Sequence, residues 1–112
     1  MLGSRDLTRS PSTTASTRAA TGDDMPAVDV AEIHAPFTHQ QLILTEAIGL
    51  PEGTAVNPSG GALAANPMFS TGLERIGFAA RHIFDGSARR VLAHATSGPV
   101  LQQNLVAVLE GE

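Results

Sequence analysis

The sequence predicts a layered α/β domain, and three observations predict it. The apolar period changes along the chain: alternating near residue 30, helical from 38 and again from 66, extended after 90. Turn formers separate these stretches, with Gly49 and Pro51 after the first helical run and Asp85-Gly86 after the second. The length of 112 residues without a cysteine suits one domain with a modest core.

Residues 1–21 are rich in Ser, Thr and Arg and hold a single acid, Asp6. They read as part of a leader over 1–26, flexible or with a weak helix over 12–20 that needs neighbours to hold it. The folded domain is expected over 27–112. Val28, Val30 and Glu32 alternate with Asp29, Ala31 and Ile33, which predicts a strand ending at His34. Thr38 and Gln41 have capping-box spacing. The helix they open should turn Leu42, Ile43, Ala47 and Ile48 inward and stop at Gly49 in the left-handed conformation. Residues 54–57 read as a brief extended segment after the Pro51-Glu52-Gly53 turn. Asn66 as N-cap and Pro67 at N1 should start a second helix. Its apolar stripe is Phe69, Leu73, Ile76, Ala80 and Ile83, with Glu74, Arg75, Arg81 and His82 turned away. Residues 90–96 and 105–109 read as strands, the second apolar throughout and therefore expected to be buried on both faces.

Composition narrows the function. The net charge is −4 with no basic cluster, so a nucleic-acid partner is not expected, since such binding rests on Lys and Arg neutralising phosphate. The longest aliphatic run, 105–109, is far too short to span a bilayer. Absence of cysteine removes disulfides, thiolate metal sites and thiol catalysis. The four histidines have no metal-ligand spacing, so no metal site is expected. The N-terminal stretch lacks the apolar region of a secretory signal, and it lacks the amphipathic face of a transit peptide. A cytoplasmic location is therefore expected.

Three loop segments carry a resemblance. They are Glu32-Ile33-His34-Ala35-Pro36-Phe37, then Val56-Asn57-Pro58-Ser59-Gly60-Gly61 leading to Asn66-Pro67 and Gly72, then Ala95-Thr96-Ser97-Gly98 before the last strand. In this order and spacing they resemble the C-terminal half of the thiolase superfamily, in particular sterol-carrier-protein-type thiolases and acetyl-CoA acetyltransferase-like proteins. Arg5-Asp6-Leu7-Thr8 also looks like upstream thiolase sequence. The resemblance implies acyl transfer between a cysteine and coenzyme A in lipid or sterol metabolism, with a CoA thioester as substrate and no bound cofactor. His34 then falls where the family places an oxyanion donor, and Ala35 replaces the acid usually beside it. Asn66 falls where the family has the histidine that activates the nucleophile, and asparagine cannot take up a proton near neutral pH. Ser97 and Gly98 fall in the loop of the second cysteine. Gly60 and Gly61 would let backbone N–H groups approach the substrate. Each has a plainer reading too: His34 as a partly buried, hydrogen-bonded histidine at a strand end, Asn66 as a helix cap, Gly60-Gly61 as a tight path, Ser97-Gly98 as a turn, His39 and His82 as helix-surface residues, His94 as a strand residue.

Halves of this superfamily have a five-stranded mixed sheet in the order 3-2-1-4-5 with helices on both faces. The resemblance maps 28–33 to strand 3, and 90–96 and 105–109 to strands 4 and 5. It therefore implies a partial half whose central strands are missing, with a gap between strand 3 and the last two. The expected function is that of a C-terminal piece of a thiolase-like acyl-CoA acyltransferase, inactive alone because the nucleophilic cysteine is absent. The alternatives are a noncatalytic subunit that completes a split thiolase with a complementary half, or a module that binds CoA thioesters or lipids.

Overall fold

A computed structural model of the chain describes residues 6–98 and 100–112. Residues 1–5 of the expected leader, including Arg5 of the Arg5-Asp6-Leu7-Thr8 stretch, lie outside the described residues. The elements in order are α1 (Pro11–Thr21), β1 (Val30–Ile33), α2 (Thr38–Ile48), β2 (Ala55–Val56), α3 (Gly61–Ala64), α4 (Thr71–Phe84), β3 (Arg90–Ser97) and β4 (Gln103–Glu110). The strands form one open mixed sheet in the order β2-β1-β3-β4. β1 runs parallel to both neighbours, and β4 is antiparallel to β3.

The expected gap is absent. β1 lies directly beside β3, in register from Val30 against Val91 to Ile33 against His94. No central strand is missing between them, and the backbone groups that a gap would orphan are paired in a continuous ladder. All four residues of β1 are buried, so this strand is itself the middle of the sheet.

One face of the sheet carries α1 and α2. Its core is Ala31, Ile33 and Leu92 from the sheet, packed on Leu44 and Ile48 of α2. The other face carries α4 over Val30, Val91 and Ala93, with Ala79 at the contact. α1 docks through hydroxyls rather than hydrocarbon, since Thr13 and Thr17 are its buried residues. Ser12 Oγ donates to the Leu101 carbonyl at 2.8 Å, and Ser16 Oγ donates to the Asn104 carbonyl at 2.9 Å. The helix expected over 12–20 thus exists because neighbours hold it.

Both main helices are rotated from the faces their sequences suggest. In α2, Leu44 and Ile48 are buried while Leu42 is exposed. The capping box does not form: Phe37 stands at the N-cap without a side-chain bond, and the Gln41 amide oxygen instead accepts from Asn57 Nδ2 at 3.1 Å. Gly49 does end α2 in the left-handed conformation, at φ 70°. α4 begins at Thr71, not at Asn66, because residues 61–64 form their own short helix and Pro67 opens a turn whose carbonyl takes the Ser70 and Thr71 N–H groups. The line that α4 presents to the sheet is Thr71, Arg75 and Ala79. Phe69 and Leu73 of the expected inner stripe are exposed, and Arg75 is buried. β4 is also not buried on both faces: it is an edge strand with Leu105 exposed and residues 106–109 half-buried.

Candidate functional site

The loops singled out by sequence leave the sheet at the carboxyl ends of β1 and β2 and at the end of β3. In open α/β sheets this edge is where ligands bind. β1 delivers Ile33 and then His34. The ladder beyond is closed by a side chain: Asn57 turns to φ 50° and its Oδ1 accepts the Ile33 N–H at 2.6 Å. Asn57 thereby substitutes for a further residue of β2 and fixes where His34 emerges.

Gly61 is required by the same contact. It sits at φ 60°, and a Cβ there would lie 2.9 Å from Asn57 Cγ. Gly60, at φ 90°, caps the start of α3. The two glycines thus shape the loop around Asn57, and no hydrogen bond joins them to His34 among the described residues.

Glu32 and Arg75 hold the loop from beneath. Glu32 is fully buried in β1, and its carboxylate accepts the Ser59 hydroxyl at 2.7 Å and the Ser59 N–H at 3.1 Å. Arg75 Nη1 reaches Glu32 Oε2 at 3.4 Å and Ser59 Oγ at 3.3 Å. Phe78 stacks beneath the guanidinium, 5.2 Å from ring centre to Cζ. His82 Nε2 stands 3.8 Å from the other Glu32 oxygen, so this histidine is not simply a helix-surface residue. Removing either member of a buried charge pair costs about 3–5 kcal/mol, because the other is left uncompensated. Sequence reading missed this network. Its signal was an acid inside an apolar strand, which needs a cation, and Arg75 shares a helix face with Thr71 and Ala79.

His34 is half-buried between β1 and β3. The Thr96 N–H donates to its Nδ1 at 3.3 Å. Nδ1 is therefore the acceptor nitrogen, and the ring proton sits on Nε2. Burial first, and the Arg75 charge second, hold its pKa below the ordinary imidazole value. The ring is neutral at physiological pH, and Nε2–H has no acceptor among the described residues. Gly72 closes the third side: a Cβ there would meet Ala95 Cβ at 2.9 Å and lie 3.9 Å from His34 Nδ1. Gly72 lets α4 approach β3 closely enough to wall the ring.

Asn66 stands one step back. Its Oδ1 accepts the Thr71 hydroxyl at 2.8 Å, next to Gly72, so it ties the α3–α4 connection to the helix start. It does not cap through a backbone N–H, and no hydrogen bond joins it to His34 among the described residues. Ser97 is exposed at the end of β3, and Gly98 begins the following turn at φ 90°. The structure thus gathers His34, Thr96 and Gly72, with the Glu32–Arg75–Ser59 network under the neighbouring loop, and among the described residues no hydrogen bond joins Asn66, Ser97 or Gly98 to His34. The arrangement can donate a hydrogen bond to a carbonyl or oxyanion. It holds no thiol and no base poised to activate one.

His94 lies under the opposite face, against α1, and is fully buried. Its Nε2 donates to Asn104 Oδ1 at 2.8 Å, and Asn104 Nδ2 donates onward to Ser12 Oγ at 2.8 Å and the Leu101 carbonyl at 2.9 Å. Its Nδ1 has no hydrogen-bond partner among the described residues, and burial lowers its pKa to about 4, so the ring is neutral. No helix among the described residues is long and apolar enough to cross a membrane. No protein-family model, curated protein or solved structure matches the chain.

Proposed function

We propose that the chain is the C-terminal part of a thiolase-like acyl-CoA acyltransferase of lipid or sterol metabolism, and that it holds the thioester carbonyl without transferring the acyl group by itself. The observation that carries this reading is the neutral His34, whose Nε2–H has no acceptor among the described residues, at the junction of the three loops that resemble thiolase. A donor fixed on a strand end stabilises a thioester oxygen as negative charge develops on it. Gly60, Gly61, Ser97 and Gly98 would contact the CoA thioester around that carbonyl. The nucleophilic thiol, and a base to activate it, would come from a complementary thiolase half, as in a split enzyme.

A second reading gains from the unbroken ladder. A chain whose strands pair without a gap has the backbone of a free-standing domain, which suits a module that binds CoA thioesters or lipids. Calorimetric titration with acetyl-CoA and acetoacetyl-CoA tests what both readings share. His34→Phe keeps a ring but removes the donor, and should weaken thioester binding by about 1–3 kcal/mol. Equal binding by wild type and variant, or none at millimolar ligand, would defeat both. Acetoacetyl-CoA cleavage by the chain alone would show the site complete and refute its dependence on another thiol.

A further inference from the structure

α1 covers a buried histidine, and it does so without adding an apolar side chain to the core. Neither apolar cluster contains a residue of α1. Ala15, Ala19 and Ala20 are exposed, and the helix residues it buries are Thr13 and Thr17. Thr17 Oγ1 has no partner among the described residues, so docking strips this hydroxyl of water without replacing the bond. A helix of 11 residues is marginal by itself, and the Ser10 hydroxyl pairs with Thr13 Oγ1 instead of capping the first turn. What holds α1 is a set of hydroxyl bonds: Ser12 to Leu101, Ser16 to Asn104, and Thr14 Oγ1 to the Ala47 carbonyl at 3.0 Å.

The Ser12 bond is one end of a relay. Asn104 joins Ser12 Oγ to His94 Nε2, and the Leu101 carbonyl accepts from both Ser12 and Asn104. Leu101 stands at φ 56°, a strained conformation for a residue with a side chain, and these bonds help to hold it there. Nε2 of His94 already carries a proton, so a second one goes to Nδ1, which has no partner. The ring then bears a full charge in a site closed to solvent. The charged groups of the surrounding elements do not offset it. Arg18 of α1, His39 and Glu46 of α2 and Glu110 of β4 are exposed, and Arg90 of β3 pairs with Glu110. Glu32 of β1 turns to Arg75 on the other face, and His34, whose N–H donates to the His94 carbonyl at 3.1 Å, opposes the charge.

We infer that α1 is a strap that detaches as a unit when His94 takes up its second proton, admitting water to the ring while the four-stranded sheet stays folded. The inference does not rest on the thioester reading. Linkage gives its size and sign. The covered ring has its pKa lowered to about 4, and the uncovered ring returns to the ordinary 6.5. The covered state therefore binds fewer protons, and docking weakens as pH falls below 6.5, levelling off below about 4. Opening of α1 should rise about 20-fold from pH 7 to 5 and about 100-fold by pH 4.

Native-state hydrogen exchange of the whole chain, corrected for intrinsic rates at each pH, tests this. The α1 amides should be less protected than those of β1 and β3 at every pH, and should lose about 20-fold in protection from pH 7 to 5. Their exchange should also respond less to low urea, since a detaching helix exposes little surface. His94→Gln should abolish the pH dependence of α1. Ser12→Ala weakens the latch but leaves the ring covered, so it should lower α1 protection by one factor at all pH values and keep the pH ratio. Protection of α1 that ignores pH, or that equals the protection and urea response of the strands, overturns the inference. So does a pH ratio that survives in His94→Gln or vanishes in Ser12→Ala.

Discussion

His94 shows how one buried side chain sets a pH dependence. Its pKa is lowered to about 4 in the fold, below the unfolded value of 6.5. Between these values the unfolded chain binds the extra proton, so stability rises with pH through the window and is fully present above it. Below about pH 4 the full penalty applies, on the order of 3 kcal/mol. Urea titrations at a series of pH values should show this loss on acidification, and His94→Gln should flatten it. Steady stability from pH 7 to 4 would contradict the burial of this ring. At the same scale, Arg75→Met strands the Glu32 carboxylate and should cost about 3–5 kcal/mol. Glu32→Gln with Arg75→Met should recover part of that loss.

Among the elements, two close approaches depend on a missing Cβ. Gly61→Ala forces a side chain onto Asn57 at a positive φ. It should cost about 1–3 kcal/mol, and it should release the Ile33 amide to faster hydrogen exchange. Gly72→Ala pushes α4 off β3 at Ala95 and should shift the His34 imidazole resonances. Unchanged His34 signals would mean that the helix does not wall the ring. The elements themselves were mostly legible, because each depends on neighbours in sequence: the β1 alternation, the Gly49 stop of α2, the extended run of β3. Helix orientation was not legible. Leu42 and Leu73 look inward by spacing, yet which side of a helix meets the sheet depends on partners far along the chain. Asn57 drew Gln41 out of the expected capping box, and the α3 turn delayed the start of α4 from Asn66 to Thr71.

For the whole molecule, the direct pairing of β1 with β3 removes the physical ground for expecting an unstable remnant. The isolated chain should unfold in one cooperative transition, with circular dichroism and calorimetry agreeing on its midpoint. A broad, non-coincident melt would show that the sheet needs something more than this chain. α1 belongs to the same unit, since its serines bond to Leu101 and Asn104 across about 90 residues of sequence. Asn104→Ala should loosen α1 and expose it to protease before the rest.

Local chemistry alone determined the α/β class, the absence of any thiol and the positions of the three loops, because periodicity, composition and turn residues act over a few residues. Only the tertiary structure decided that the ladder closes without a gap, that Glu32 and Arg75 meet beneath the Ser59 loop, and that His34 keeps its proton on Nε2. Those outcomes are pairings between groups tens of residues apart. Their energies come from burial and from satisfying buried polar atoms, quantities that exist only once the chain has folded.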